Sequence, residues 1–232
     1  MNSSFYTAAG GAIWLQKGLN VTANNIANIS TNGYKPDEAS FSDLVYTNVH
    51  AQGVNDKLKM GNGVKLEKTD TVFNNGPVVQ TGRTLDYALQ SDGFFAVQTA
   101  SSIKYTRDGS FNLSAENGQS YLTTASGDYV LNSQGQRITV KNDQQDLDVG
   151  VYTFQNTDGL TKEGNNYLVP TTNAGAVSLA KNPLLKQGAL EGSSVNLADA
   201  MTDIITSQRS FQFNTKMVQI SDEIMQTING LR

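Results

Sequence analysis

From Leu197 onward an apolar residue recurs at every seventh position, and this spacing constrains the fold more than any other feature of the chain. The series is Leu197, Ile204, Phe211, Val218 and Met225. A heptad repeat of this length predicts a long helix with an apolar stripe, because a strand would need a period of two. Asn196 with Asp199 forms a variant of the capping box at its start, and Asn229-Gly230 is a candidate end.

A second apolar series widens the face of this C-terminal helix. It consists of Phe213, Met217, Ile220, Ile224 and Leu231. A two-stranded coiled coil needs only a narrow stripe. The extra width therefore favours contacts with more than one neighbouring helix.

The first 33 residues or so predict a second long helix. Ser3 or Ser4 is a candidate N-cap, and Asn32-Gly33 followed by Pro36 is a candidate stop. Two heptad series run through this segment: Phe5, Ala12, Leu19 and Ile26, and Ala8, Leu15, Thr22 and Ile29. Its internal glycines each destabilise a helix by about 1 kcal/mol relative to alanine. This helix therefore needs a partner, and the C-terminal helix is the candidate.

The segment between the helices has the pattern of short antiparallel strands. Turn dipeptides such as Asp92-Gly93 and Asp108-Gly109 separate alternating runs, and each of these two begins a copy of the phrase D-G-x-F-x-apolar. The fold class is therefore α+β, with long terminal helices paired as a coiled coil and an inserted β-rich domain of hairpins. We expect a helical domain from residues 1–35 and 190–232, an extended connector at 36–80 and the β-rich domain at 81–189.

Composition excludes several kinds of chemistry. The 232 residues include no cysteine, which removes disulfides, thiol nucleophiles and Cys-ligated metals. His50 is the only histidine, so a multi-histidine metal site is impossible. The net charge of −4 argues against nucleic-acid binding, and no apolar run is long enough to span a membrane. We expect no enzyme activity, cofactor or metal.

Two readings of a different kind stay open on the residues alone. The terminal helices could form an intramolecular hairpin packed on the sheet, with no role in assembly. The many Asp and Glu residues could contain the carboxylate pair of a secreted, β-rich cell-wall hydrolase.

Motifs at both ends and in the middle of the chain resemble the rod and hook family of bacterial flagellar axial proteins. The N-terminal phrase, residues 24–35, has the form N-N-[LI]-A-N-x-x-T-x-G-[FY]-K. Its matching positions are Asn24, Asn25, Ala27, Asn28, Thr31, Gly33, Tyr34 and Lys35. The C-terminal phrase includes residues 188–191, Gln208-Arg209-Ser210-Phe211, Asn214, Lys216 and Asp222. The middle agrees through residues 81–86, 92–95 and 105–111.

The resemblance implies a structural subunit of the basal-body rod. In that family the terminal helices pair and pack against other subunits to line a tube that transmits torque and surrounds the export channel, and the β domain lies outside the tube. The residues expected to form the assembly seams are Leu15, Leu19, Ile26, Ile29, Leu197, Ile204, Phe211, Val218 and Met225. Asn25, Asn28, Gln208 and Asn214 are expected to hydrogen-bond across helices.

The resemblance also implies partners and a route to them. The family uses an F-x-x-x-apolar motif as an export-gate signal, which Phe41 and Val45 match. Expected partners are copies of the chain, other rod and hook subunits, the flagellar type III export apparatus and the P/L-ring or bushing proteins. The expected location is the flagellar basal body, reached without a cleavable signal peptide. A hook or hook-associated subunit is the alternative within the family.

Overall fold

The computed structural model describes residues 3–48, 59–116, 118–140 and 147–231, which group into two compact units. The helical unit comprises the chain up to Ala27, Asp37–Thr71 and the chain from Asn196. The β unit comprises Asn28–Pro36 and Val72–Val195. His50 lies outside the described residues.

The helical unit contains two long helices and four strands. They are α1 (Ser3–Ala27), β1 (Asp37–Asp43), β2 (Thr47–Asn48), β3 (Lys59–Met60), β4 (Val64–Thr71) and α2 (Leu197–Gly230). The cap expected at the start of α2 is confirmed, because the Asn196 side chain accepts a hydrogen bond from the Ala198 amide at 3.1 Å and donates to Asp199 at 2.7 Å. Such a cap satisfies one of the amides that a helix start leaves without a partner.

Helix α1 ends six residues earlier than the sequence pattern predicts. It stops at Ala27, and residues 28–33 form turns. Within the β unit the Gly33 amide donates to the Glu191 carbonyl at 2.8 Å, and Gly33 has a φ of +65°. These tertiary contacts outweigh the helical pattern of the segment. The expectation that Ile29 lies on the helix seam is therefore wrong.

Helices α1 and α2 pack together in antiparallel orientation. A Cβ atom at Gly11 would lie 3.1 Å from Nδ2 of Asn214, which fixes one crossing point. If Gly11 lies opposite Asn214, the 25 residues of an antiparallel α1 lie opposite residues 198–222 of α2. A parallel α1 would lie opposite residues 206–230. The sheltered side of α2 runs from Ala200 to Ser221, and residues 222–230 are all exposed. Only the antiparallel arrangement agrees with that burial.

Strands β1 and β4 form a long antiparallel hairpin in the segment expected to be an extended connector. Asp37 pairs with Thr71 and Asp43 with Val64, with an irregularity between Ser40 and Phe41. This hairpin contacts α1 within the helical unit. At its far end β2 pairs with β3.

The β unit is built from short antiparallel strands. They are β5 (Val78–Gln80), β6 (Tyr87–Leu89), β7 (Phe94–Gln98), β8 (Ile103–Thr106), β9 (Asn112–Glu116), β10 (Gln119–Thr123), β11 (Tyr129–Val130), β12 (Thr139–Val140), β13 (Val151–Phe154), β14 (Leu160–Lys162), β15 (Tyr167–Pro170), β16 (Val177–Leu179), β17 (Leu185–Gln187) and β18 (Ala189–Glu191). Short 3₁₀ helices lie at Thr157–Gly159 and Thr172–Ala174.

A ten-stranded sheet forms the body of the β unit, with the path β12-β10-β11-β7-β8-β15-β14. Strand β13 pairs with β7 and β16, and β9 pairs with β10. Strands β7–β8 and β9–β10 form the successive hairpins expected from the repeated D-G-x-F phrase. Separate two-stranded ladders join β6 to β17 and β5 to β18.

Strand β7 is buried on both faces and separates two apolar cores. Phe95 points into a core with Phe111, whereas Phe94 and Ala96 belong to a second core with Tyr105. This follows from the two-residue period of a strand, which sends successive side chains to opposite faces. The α+β fold class expected from the sequence is confirmed.

Candidate functional site

The seam of α2 that faces α1 combines large apolar residues with small and polar ones. Ile204, Phe211 and Val218 occupy one heptad position and are half-buried. The second position is occupied by Ala200, Ser207, Asn214 and Ser221, of which Ala200 and Ser221 are buried. Leu197 and Met225, expected on the same seam, are 40% and 48% exposed. The small residues allow the two helix backbones to approach closely.

The matching face of α1 combines Ala8, a member of one predicted apolar series, with residues that neither series included. Gly11, Gly18 and Asn25 are buried at intervals of seven residues, together with Ala8. Leu15, Leu19 and Ile26, the residues expected to form the seam, are half-buried. The heptad repeat of Gly11, Gly18 and Asn25 was the available sequence signal for this buried line.

Each residue of this buried line contacts a different element of the helical unit. Gly11 faces Asn214 of α2, and a Cβ atom at Gly18 would lie 2.9 Å from Cζ of Phe41 on β1. The Asn25 side chain donates to the Asp37 carbonyl at 2.8 Å and accepts from the Asp37 amide at 3.0 Å. Asn25 thus holds the start of β1 to the last turn of α1.

Phe41 and Val45, the export-gate candidates, have different surroundings. Phe41 lies on β1 with its ring against Gly18 and is 41% exposed. Val45 follows the end of β1 and is 83% exposed. Phe41 is therefore partly sheltered by α1, whereas Val45 is open to solvent.

The outer face of α2 exposes the second apolar series. Phe213 is 71% exposed, Met217 47%, Ile220 39% and Ile224 50%. Phe213 lies two residues, about 200° around the helix, from Phe211 on the seam. The α1–α2 pairing therefore leaves a continuous apolar stripe on α2 that the described part of the chain does not cover.

The other signature residues of α2 lie on different sides of that helix. Asn214 is half-buried on the α1-facing seam, whereas Lys216 is exposed. Asp222 is also exposed and accepts a hydrogen bond from the Gln226 side chain at 3.0 Å. Of the three, Asn214 alone faces α1.

The N-terminal signature continues beyond α1 into the β unit. Asn24 and Ala27 are exposed at the end of α1, and Thr31 donates to the Asn28 side chain at 3.2 Å. The bond between Thr31 and Asn28 stabilises the turn that follows α1.

The glycine and tyrosine of the signature are buried in the β unit. A Cβ atom at Gly33 would lie 2.6 Å from the Arg107 carbonyl carbon, so glycine is required there for space as well as for its positive φ. Tyr34 is 6% exposed, and the Lys162 ammonium lies 4.5 Å from the centre of its ring. Lys162 also donates to the Lys35 carbonyl at 2.6 Å.

Lys35 ends the signature in a buried ionic cluster. Its ammonium lies 2.6 Å from Oε1 of Glu191, and Oε2 of that carboxylate lies 3.2 Å from the Arg107 guanidinium. The carboxylate also accepts from the Gly76 amide at 2.8 Å, and Lys35 donates to the Asn74 carbonyl at 2.5 Å. The three charged side chains are each at most 3% exposed.

Burial lowers the pKa of Lys35 below its usual value, and the hydrogen bond and charge of Glu191 oppose that effect. Glu191 and Arg107 were quoted only as parts of motifs and were missed as site residues. The available signal was the G-A-L-E phrase at residues 188–191, which ends in a charged residue within an apolar strand. The cluster ties three distant parts of the chain together.

The described residues provide surfaces and structural contacts, and we identify no catalytic arrangement among them. Across the described ranges, no group of His, Cys, Asp and Glu is placed to hold a metal ion. Neither described helix is apolar enough over a sufficient length to cross a bilayer.

Three family models match successive parts of the chain. Residues 5–35 match the model described as flagella basal body rod protein, and residues 88–152 match the D1 domain of flagellar hook protein FlgE/F/G. Residues 186–231 match the C-terminal region of flagellar basal body rod FlgEFG protein. The first and last models contain both signature segments and α2.

Relatives are similar to this chain over nearly their entire length. Flagellar basal-body rod protein FlgG of Bacillus subtilis is 34% identical, with all of both chains aligned. FlgG of Borreliella burgdorferi is 30% identical over 100% of this chain and 99% of its own. The flagellar hook-basal body complex protein FlhP of Bacillus subtilis is 28% identical over both full chains. This chain therefore belongs to the flagellar basal-body rod protein family, a family of structural subunits.

Proposed function

We propose that this chain is a subunit of the flagellar basal-body rod whose terminal helices pack against those of neighbouring subunits. In this proposal the helices form a tube around the export channel, and the β unit makes lateral contacts. The assembled tube transmits torque from motor to hook. Copies of the chain and other rod and hook subunits are its partners, and the basal body is its location.

The observation that carries this proposal is the apolar stripe on α2. Phe213, Met217, Ile220 and Ile224 form one exposed series on a helix that is already paired with α1. An exposed, contiguous apolar surface on a subunit marks a protein–protein interface. Torque transmission requires many such contacts to act together.

The test is a charged substitution on the stripe compared with one on the seam. Phe213→Asp alters the outer face and leaves the α1–α2 seam intact, so we expect a folded protein that does not enter the rod. Phe211→Asp alters the seam itself and should also reduce helicity. Asp203→Glu, an exposed and conservative change on the same helix, is the control. Motility and rod assembly at wild-type levels in Phe213→Asp would contradict the proposal.

Export is the finer part of the proposal. The chain would travel through the flagellar type III apparatus, with Phe41 and Val45 as the export-gate motif. It would meet the P/L-ring or bushing proteins after assembly. Val45→Asp tests the gate, because Val45 is 83% exposed and its substitution should not affect folding. Secretion of Val45→Asp at the wild-type level would refute a role for Val45 in export.

A further inference from the structure

The seam of α2 continues beyond the part that α1 covers. Ser221 is the last buried seam position, and the same alternating spacing of four and three residues then reaches Met225 and Ile228. Met225 is 48% exposed and Ile228 is 59% exposed. We call residues 222–231 the tail segment. Its inner side has the chemistry of a helix interface, but none of the described residues of α1 lies opposite it.

An open groove lies on the outer face of the preceding part of α2. It has a volume of about 450 Å³ and is lined by Ile205, Gln208, Arg209, Gln212, Phe213 and Lys216. Phe213 and Ile205 are 71% and 53% exposed. The groove therefore offers two apolar side chains together with two cations.

The charges of the tail segment and of the groove are complementary. The tail segment begins with Asp222 and Glu223, whereas the groove carries Arg209 and Lys216. All four residues are exposed, and none of the ion pairs formed by described residues includes them. The tail segment thus carries acidic residues followed by the apolar residues Ile224, Met225, Ile228 and Leu231. The groove carries the matching cations beside the apolar side chains of Ile205 and Phe213.

The tail segment cannot reach the groove of its own chain. Both lie on one continuous helix from Leu197 to Gly230, and only five residues lie between Lys216 and Asp222. Because a straight helix cannot fold back on itself, a tail segment that fills the groove has to come from another molecule. A second copy of this chain carries a segment of matching charge and apolarity.

We propose that the tail segment of one copy docks in the α2 groove of a second copy. The inference rests on the proposed function and names the contact that would link successive subunits. Two different surfaces meet in this contact, so it is heterologous, and its repetition produces an open helical array when the rotation does not close. Glu223 and Asp222 pair with Lys216 and Arg209, and the apolar side chains of the tail segment cover Phe213 and Ile205.

A charge exchange tests the polar half of the contact. Lys216→Glu and Glu223→Lys each replace an attraction by a repulsion, and we expect each to raise the concentration needed for assembly about two- to tenfold. The double variant restores opposite charges and should return to within about twofold of wild type. Lys186→Glu, a charge reversal on exposed β17, is the control and should have no effect. Failure of the double variant to recover would overturn the pairing.

Cysteine trapping tests the geometry, and the absence of natural cysteines keeps the background clean. Gln212→Cys and Thr227→Cys place thiols in the groove and in the tail segment, each in a separate copy. In cells that produce both variants, we expect a disulfide-linked dimer at least severalfold more abundant than with the control pair Gln16→Cys and Thr227→Cys. Gln16 is an exposed residue of α1.

The outcomes separate this inference from the proposed function. Dimer at the control level, or trapping of a different axial protein by Thr227→Cys, would overturn a second copy as occupant. If wild-type rods still form in that case, the proposed function stands and only this contact is wrong. If the wild-type chain enters no rod at all, the proposed function itself fails.

Discussion

Removing the carboxylate of Glu191 should destabilise the β unit more than any surface charge substitution. In Glu191→Gln the buried cations Lys35 and Arg107 lose their shared counter-charge while staying at most 3% exposed. Breaking a buried ion pair from one side typically costs about 3–5 kcal/mol, because an uncompensated charge remains in the interior. We expect a loss of this size in the free energy of unfolding of the β unit.

The matched control is an exposed pair with equally short geometry. Lys68 and Asp70 lie 2.6 Å apart, but their side chains are 59% and 41% exposed. Asp70→Asn should therefore change the free energy of unfolding of the helical unit, to which Asp70 belongs, by less than about 1 kcal/mol. Because both ion pairs have short N–O distances, the difference between the two variants reports the effect of burial.

Urea denaturation followed by tyrosine near-ultraviolet circular dichroism measures the effect on the β unit. The single tryptophan, Trp14, belongs to α1 and reports on the helical unit separately. Replacing Glu191 together with Lys35, in Lys35→Met with Glu191→Met, leaves one buried cation without its counter-charge instead of two and should be less damaging than Glu191→Gln alone. A loss in Glu191→Gln no larger than that in Asp70→Asn would refute the assigned role of the cluster.

Two further predictions concern glycine packing and pH. A Cβ atom at Gly10 would have no atom within 4 Å, so Gly10→Ala should stabilise α1 by about 0.5–1 kcal/mol. In Gly18→Ala the new Cβ would lie 2.9 Å from the Phe41 ring, and the variant should lose that gain. Trp14 fluorescence during urea unfolding measures both effects. Equal stabilities for the two variants would contradict the packing at Gly18. Burial raises the pKa of Tyr105 in the folded state. The stability that its protonated phenol contributes is therefore present below about pH 10 and is lost as pH rises through the raised pKa. The lowered pKa of Lys35 has the opposite effect, because the free energy of unfolding rises with pH between that lowered pKa and 10.5. Unfolding midpoints at alkaline pH, combined with a tyrosine titration, check the loss of stability expected as Tyr105 ionises.

The long elements and the hairpins could be predicted because their signals are local. The heptad repeat from Leu197 and the Asn196 cap predicted α2, and the Asp-Gly turns predicted successive hairpins in the β unit. These patterns record how one residue relates to others only a few positions away. The wide apolar face of α2 was likewise visible before any contact was known.

The end of α1 and the ionic cluster could not be predicted because they depend on distant residues. Residues 28–33 carry a helical pattern, but Gly33 and Lys35 gain more from Glu191, more than 150 positions along the chain, than from another helical turn. The buried line of α1 was missed because glycine and asparagine carry no apolar signal. Those positions are buried by contacts with Asn214, Phe41 and Asp37, which lie elsewhere in the chain.

The sequence by itself determined the α+β class, the paired terminal helices, the absence of cysteine chemistry and the two signature phrases of the family. The tertiary structure decided which faces are used. In the tertiary structure Gly11 and Gly18 face neighbouring elements and Phe41 packs against α1. Phe213 and the tail segment are exposed. Periodicity fixes which residues share a face, whereas the packing of distant segments decides which of those faces are buried and which remain for other subunits.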